Sequence, residues 1–190
     1  MLRAAAALGA LVGSARAADR PARIDPRFEG LVTQKGRPVD EAAFKGRFRL
    51  VFFGYTHCLD VCPMTLYAMK RVLEALGPDA SRLRVVYVTI DPARDTPQAL
   101  DEMIGHFDQR IVGLTGTPGA IAKVARNYGV TYFRDVQVSP GEYYMVHTTH
   151  SVLIDPDGYV RDLFEVNDDP DAMAHDVASR IRSAFGRGGG

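Results

Sequence analysis

Two short apolar runs in the first half of the chain are typical of buried strands. Residues 49–55 include Leu-Val-Phe-Phe, and residues 83–90 are nearly all apolar and β-branched. Continuous runs of this kind favour strands whose two faces are both covered by helices. Between them, after Pro63, apolar residues recur at helical spacing as far as Leu76, and Gly77-Pro78 ends the predicted helix.

The second half of the chain predicts more helices and a β-hairpin. Helices are expected over residues 96–107, 117–129 and about 170–185, and strands over 143–154 and 159–164. The two strands flank Asp155-Pro156-Asp157-Gly158, a hairpin turn signal. The order βαβ, then α, then ββα predicts an α/β fold of the thioredoxin-like kind. Its central mixed sheet is flanked by helices, with a β-hairpin near the C-terminal part.

Composition and charge narrow the classes of partner. With 190 residues and 46% hydrophobic content, the chain is long enough for one domain with a proper core. The 23 Lys and Arg residues balance 23 Asp and Glu residues and are scattered among them. Such a balance gives no general attraction to polyanions, so we expect no nucleic-acid partner.

The first residues predict an export signal. A basic start at Met1-Leu2-Arg3 precedes the apolar residues 4–12, and Ala15-Arg16-Ala17 has the small-x-small pattern of a cleavage site. The apolar stretch is shorter than the roughly 20 residues that span a bilayer. No membrane span is predicted, although an uncleaved N-terminal anchor stays open. We expect a signal peptide over 1–17, a tether over 18–29, a thioredoxin-like domain over 30–185, a flexible tail over 186–190, and a periplasmic or otherwise exported protein.

The chain has two cysteines, Cys58 and Cys62, which lie directly after the first predicted strand. They could be a soft-metal ligand pair, a redox couple, or both. Residues four apart on a helix have Cβ atoms about 5–6 Å apart, whereas a relaxed disulfide needs about 3.8 Å. The pair can therefore chelate an ion readily, but it oxidises only if the turn shifts. Because Cys62 precedes Pro63 at the helix start, we expect its thiol pKa to be lowered.

Histidines could complete a metal site. Two thiolates and one imidazole suit copper, as Cu(I) or Cu(II). His147 and His150 precede the predicted hairpin turn, and their odd separation places them on opposite sides of an extended strand, so one of them is expected to face the site. Spacing alone leaves both candidates open. His57 could tune Cys58, and His106 and His175 are expected on helix surfaces.

Four motifs, in this order, resemble the Sco/SenC family of copper chaperones over about residues 30–164. They are Phe53-Gly54-Tyr55-Thr56-His57-Cys58 through Cys62-Pro63, Thr89-Ile90-Asp91-Pro92-Ala93-Arg94-Asp95-Thr96-Pro97, Gly113-Leu114-Thr115-Gly116, and Leu153-Ile154-Asp155-Pro156-Asp157-Gly158. The resemblance implies a thioredoxin-like fold and one copper ion held by both cysteines and a distant histidine. It also implies a role in maturing the binuclear copper centre of cytochrome c oxidase, by copper delivery, by reduction of the acceptor's cysteines, or both.

The family register favours His147 as the third ligand. In the family, the histidine lies nine residues before the hairpin proline and is followed by Thr or Ser. Counting back from Pro156 gives His147, followed by Thr148, with His150 as runner-up. The partners implied are the copper-accepting subunit of cytochrome c oxidase and a copper donor or thiol reductant. Asp91 and Asp95 could supply an outer charge, or they could form a turn and a helix cap.

Two enzymatic alternatives use the same thiols. A thiol-disulfide oxidoreductase of the thioredoxin type would use Cys58 and Cys62 as its redox-active pair. Such enzymes place a cis-proline beside the thiols, but residues 145–151 contain no proline, and the three-residue spacer also counts against this class. A peroxidase needs Pro-Thr-x-x-Cys, and Tyr55-Thr56-His57-Cys58 lacks the proline. We therefore expect a metallochaperone rather than an enzyme.

Overall fold

The two apolar runs form adjacent parallel strands at the centre of a six-stranded mixed sheet in the computed structural model, which describes residues 21–139 and 142–186. The strands are β1 (Leu31–Thr33), β2 (Phe48–Gly54), β3 (Leu83–Thr89), β4 (Val112–Gly116), β5 (Tyr132–Ser139), β6 (Glu142–His147), β7 (Ser151–Ile154) and β8 (Val160–Phe164). The helices are α1 (Val61–Leu76), α2 (Pro97–Gly105), α3 (Pro118–Asn127) and α4 (Pro170–Gly186), with short 3₁₀ helices at Glu41–Phe44 and Gly77–Arg82.

The sheet order is β1-β4-β3-β2-β7-β8, which confirms the predicted α/β class. β3 pairs in parallel with β2 and β4, whereas β7 runs antiparallel to β2 and β8. Every residue of β2 is buried, as expected for a strand that is covered on both faces. The carboxyl end of β2 leads directly to the cysteines.

The prediction of one strand over residues 143–154 is wrong in one respect, because the structure divides this segment into β6 and β7. β7 belongs to the main sheet, but β6 pairs with β5 in a separate two-stranded ribbon. Alternate residues of β6 are exposed, so only one of its faces rests on the domain. The break lies at residues 148–150 and makes His147 the last residue of β6.

The helices begin where the Thr-Pro signals predicted. The Thr96 hydroxyl accepts a hydrogen bond from the Ala99 N–H, and the Thr117 hydroxyl accepts one from the Ala120 N–H. Each threonine therefore satisfies an N–H that has no partner within the helix, and the following proline suits the first helical position. α1 begins at Val61, so Cys62 lies in its first turn and Cys58 lies in the preceding loop.

The segment predicted as a tether packs against the domain from Ala22 onward. The Ile24 N–H donates to the Gly158 carbonyl at 3.0 Å, and the Val160 N–H donates to the Ala22 carbonyl at 2.8 Å. Phe28 is fully buried against the rings of Phe44 and Tyr128. The predicted signal peptide and most of the predicted tail lie outside the described residues, and Gly186 ends α4. Within residues 21–139 and 142–186, no helix is both long and apolar enough to cross a membrane.

Candidate metal centre

Cys58 and Cys62 lie together where β2 meets α1, as the sequence predicted. The chain turns after Tyr55, whose carbonyl accepts a hydrogen bond from the Cys58 N–H at 3.3 Å. Both thiols are free. Cys58 is half-buried, and Cys62, in the first turn of α1, is completely buried. An incoming ion or thiol therefore reaches Cys58 first.

The two thiols differ in protonation, and here the sequence-based expectation for Cys62 is wrong. A hydrogen bond from the Cys62 thiol, helped by the backbone N–H groups of Asp60 and Cys62, lowers the pKa of Cys58 to about 5. The same hydrogen bond, together with burial, raises the pKa of Cys62 well above its ordinary range. The N–H groups at the start of α1 thus act on Cys58, because that sulfur lies in front of the helix.

His147 is held with one ring nitrogen available. Its ring packs edge-on against Phe52 and Tyr55, with centroid separations of 5.9 and 6.1 Å. Nδ1 lies 2.7 Å from the Thr148 carbonyl oxygen. Since a carbonyl can only accept, Nδ1 carries the proton and Nε2 keeps its lone pair. Burial lowers the pKa of His147, so the ring is neutral at pH 7 and suited to bind a metal ion.

Of the two candidate histidines, His147 is the one that interacts with Cys58. When the ring is protonated, its charge and the Cys58 thiolate attract one another, which lowers the pKa of the thiol and partly offsets the effect of burial on the pKa of the ring. His150 lies half-buried in the link between β6 and β7. His57 faces another direction: its Nδ1 lies 3.0 Å from the Thr56 hydroxyl and 3.9 Å from Asp95.

The three predicted ligands do not form a closed metal site in the described part of the chain. Within residues 21–139 and 142–186, no group of three or more Cys, His, Asp or Glu side chains is already close enough to hold an ion. Cys58 lies in a loop and His147 lies at a strand end. Two sulfurs and one imidazole nitrogen are a donor set for a soft metal ion.

Asp95 braces the loop before Cys58. This carboxylate is fully buried and accepts hydrogen bonds from the Thr56 N–H at 3.0 Å, the Thr56 hydroxyl at 2.6 Å and the Thr89 hydroxyl at 2.6 Å. Burial raises the pKa of Asp95, while these donors oppose that rise. Asp95 is not the helix cap, because Thr96 caps α2, and its role as an outer charge stays a prediction.

Asp91 and Arg94 brace the strand that carries His147, a role that the sequence did not reveal. Asp91 accepts a hydrogen bond from the Tyr143 hydroxyl at 2.7 Å and pairs with Arg94 at 2.5 Å. Arg94 also donates to the Tyr143 carbonyl at 3.0 Å and lies 3.6 Å from the centre of its ring. Tyr143 and His147 share one face of β6, so their even spacing was the available signal.

Known proteins resemble this chain over most of its length. The SCO1/SenC family profile matches residues 16–182. The mitochondrial SCO1 homologue of Mus musculus is 37% identical over 155 residues, which cover 80% of this chain and 55% of the relative. A SCO2-like protein of Rickettsia conorii is 34% identical over 164 residues, which cover 86% of this chain and 80% of the relative. The chain spans about half the length of the mouse relatives that it matches.

Solved structures share the same fold. The structure of Bradyrhizobium japonicum ScoI with copper bound has a TM-score of 0.72 and 35% identity, covering 85% of this chain and 99% of that one. Apo Sco1 from Thermus thermophilus has a TM-score of 0.72 and 34% identity, covering 87% of this chain and 95% of that one. The chain therefore belongs to the SCO1/SenC family and has its thioredoxin-like fold.

Proposed function

We propose that the chain binds one copper ion through Cys58, Cys62 and His147. The observation that carries the proposal is the arrangement of the ligands: Cys58 and Cys62 lie together, and a neutral His147 with a free Nε2 lies within electrostatic reach of Cys58. Soft thiolates with one imidazole suit copper better than calcium or magnesium, which prefer oxygen ligands. Copper in a similar ScoI chain, at 35% identity, supports the same cargo here.

We propose further that the bound copper serves the assembly of cytochrome c oxidase, as the Sco family does. One partner would be the copper-accepting subunit of the oxidase. The other would be a copper donor or a thiol reductant that supplies this chain. Half-burial of Cys58 supports ligand exchange at that sulfur, because a partner thiolate can approach it while Cys62 and His147 still hold the ion. Export to the periplasm or an equivalent compartment stays a prediction from residues 1–17.

A second function, reduction of the acceptor's disulfide, is favoured by one observation. Cys58 is ionised beside a protonated, buried Cys62. A low-pKa exposed thiolate attacks a disulfide, and a neighbouring thiol then resolves the mixed disulfide. The two functions use the same atoms and can alternate, because a disulfide between Cys58 and Cys62 removes both thiolate ligands.

Competition titration with a Cu(I) chelator tests the proposal. We expect one equivalent of copper in the reduced wild-type protein, and a fall in affinity of at least a hundredfold in Cys58→Ser and Cys62→Ser. His147→Ala should lose about ten- to hundredfold, whereas the matched variant His150→Ala should stay near wild type. Full affinity in His147→Ala, or loss in His150→Ala alone, would overturn the ligand set.

The reductase function needs a separate assay. The metal-free reduced protein should form a mixed disulfide through Cys58 with a model peptide disulfide, and Cys62→Ala should trap that adduct. If the wild-type protein reduces the peptide but does not bind Cu(I), the reductase replaces the metallochaperone. If it binds Cu(I) and leaves the peptide disulfide intact, copper delivery is the function.

A further inference from the structure

A buried tyrosine hydroxyl lies next to the sulfur of Cys62. Tyr87 on β3 is completely buried, and so is Cys62 on α1. Both side chains pack closely against Gly54, at the end of β2. A Cβ atom at Gly54 would lie 2.5 Å from the Tyr87 hydroxyl and 2.8 Å from the Cys62 sulfur. Oxygen and sulfur therefore approach the same backbone position, which they can do because residue 54 has no side chain.

The Tyr87 hydroxyl has no hydrogen-bond partner of good geometry among the described residues. A buried polar hydrogen without an acceptor is costly, so its presence needs a reason. Its neighbour on β2 is apolar: the Phe52 ring lies 5.9 Å from the Tyr87 ring, centre to centre. The Cys62 sulfur packs against the same glycine as this hydroxyl.

Binding of a soft metal changes what Cys62 can accept. In the metal-free protein, Cys62 is a free and completely buried thiol. A thiol must lose its proton to become a metal ligand. The proton is then released to solvent, and the buried sulfur carries negative charge with no access to water. Such a sulfur needs hydrogen-bond donors, and the unpaired Tyr87 hydroxyl packs against the same glycine.

We propose that Tyr87 is a positioning residue of the metal centre, whose hydroxyl donates a hydrogen bond to the Cys62 sulfur when that sulfur binds the ion. The inference rests on the proposed copper site and deepens it. A hydrogen bond to a metal-bound thiolate withdraws electron density from sulfur, which sets the redox behaviour of the metal. The unpaired hydroxyl of the metal-free protein is thus a donor held ready for the loaded state.

Tyr87→Phe removes one oxygen atom and keeps the ring packing, so it is the direct test. The probe is Cu(II) added to the reduced protein, followed by absorption spectroscopy of the sulfur-to-copper charge-transfer band. Without the hydrogen bond the sulfur is a stronger electron donor, so the band should move to lower energy. Affinity for Cu(I) in a chelator competition should fall about tenfold. The thermal midpoint of the metal-free variant should not fall, because no satisfied hydrogen bond is lost.

Tyr128→Phe is the matched control. Tyr128 is also buried, but its hydroxyl donates to the Pro26 carbonyl at 2.9 Å, away from the thiols. This variant should lower the thermal midpoint of the metal-free protein and leave the charge-transfer band and the Cu(I) affinity unchanged. The opposite pattern in the two tyrosine variants is the expected signature.

Gly54→Ala gives an independent perturbation of the same contact, since its methyl group would press on both the oxygen and the sulfur. It should shift the charge-transfer band in the same direction as Tyr87→Phe. An unchanged band and affinity in Tyr87→Phe, with wild-type copper binding intact, would overturn the role of Tyr87 alone. Failure of the wild-type protein to bind Cu(I) or Cu(II) would instead overturn the proposed function and the role of Tyr87 with it.

Discussion

At the residue scale, the two cysteines have different tasks. Cys58 is accessible and ionised, whereas Cys62 is buried and protonated in the metal-free protein. The sequence predicted the pair and its position, but it assigned the effect of the helix terminus to Cys62. Burial and the direction of the backbone N–H groups decide between the two sulfurs, and neither can be read from spacing. The proposed ligand exchange therefore takes place at the Cys58 sulfur.

The alkylation rate of the metal-free protein should report the ionisation of Cys58. We expect reactivity with iodoacetamide to be half-maximal near pH 5 and nearly constant above pH 7, because the pKa of this thiol is lowered to about 5. An ordinary thiol with a pKa of about 8.5 would still gain reactivity above pH 8. A rate that rises throughout the range from pH 7 to 9 would contradict this protonation scheme.

Cys62→Ala is the matched variant, since it removes the hydrogen-bond donor and keeps Cys58. The pKa of Cys58 should rise, so the reaction at pH 6 should slow by about tenfold for each unit by which that pKa comes to exceed 6. Ionisation of Cys58 also affects the stability of the folded protein. Because the folded pKa is below its ordinary value of 9.0, Cys58 contributes stability that is fully present above that value. This contribution is lost as the pH falls through about 5. Thermal melts of the wild type and Cys58→Ser, compared across this pH range, measure it.

Asp95→Asn should loosen the loop before Cys58. The amide cannot accept all three hydrogen bonds that the carboxylate takes from Thr56 and Thr89, so at least one buried donor loses its partner. We expect the free energy of unfolding to fall by about 1–3 kcal/mol in denaturant titration. Asp101→Asn, which affects only an exposed pair with Lys35, should change it by less than about 1 kcal/mol. Equal effects of both substitutions would exclude the bracing role.

At the element scale, the ribbon of β5 and β6 determines where His147 lies. The sequence predicted one long strand here and no partner for its first half. β5 carries exposed polar residues and a register irregularity after Arg134, so its pattern does not indicate a buried strand. The ribbon is instead held by residues outside its own sheet. Arg94 donates a hydrogen bond to the Tyr143 carbonyl, and the Tyr143 hydroxyl donates one to Asp91.

Arg94→Lys should weaken metal binding without changing the thiols. Lysine keeps the charge but loses the planar stack on Tyr143 and one of the two directed hydrogen bonds, so the His147 strand is held less firmly. We expect Cu(I) affinity to fall about tenfold, and amide hydrogen exchange in β6 to become faster. The iodoacetamide profile of Cys58 should stay unchanged.

Arg110→Lys serves as the control for the Arg94 substitution. Arg110 forms its ion pair with Asp108, two residues away, and half of its side chain is exposed. Its replacement should affect neither exchange in β6 nor copper affinity. If Arg94→Lys and Arg110→Lys behave alike, the ribbon does not depend on Arg94.

At the scale of the whole molecule, the parts that were predictable share a physical cause. β2, β3 and α1 are recognisable because their burial requires continuous or periodic apolar residues, and the cysteines lie at the junction of these elements. The contacts across the site were not predictable, because Asp95, Arg94 and Tyr87 join segments far apart in sequence. The sequence did contain a signal for Tyr87, because this residue places a polar hydroxyl in a strand that is buried on both faces.

The N-terminal segment should contribute to the stability of the whole domain rather than act as a free tether. Phe28→Ala removes a fully buried ring that packs on Phe44 and Tyr128, and we expect it to cost about 3–5 kcal/mol of unfolding free energy. Phe185→Ala, near the end of α4 and partly exposed, should cost less in the same denaturant titration. A cost for Phe28→Ala no larger than for Phe185→Ala would mean that residues 22–28 detach in solution.

The most direct test of the metal centre is copper K-edge X-ray absorption on the Cu(I)-loaded protein. The proposed ligand set predicts two sulfur neighbours and one nitrogen neighbour in the wild type. The nitrogen should be lost in His147→Ala and retained in His150→Ala. A spectrum that keeps its nitrogen neighbour without His147, or that shows a single sulfur in the wild type, would contradict a centre built from Cys58, Cys62 and His147.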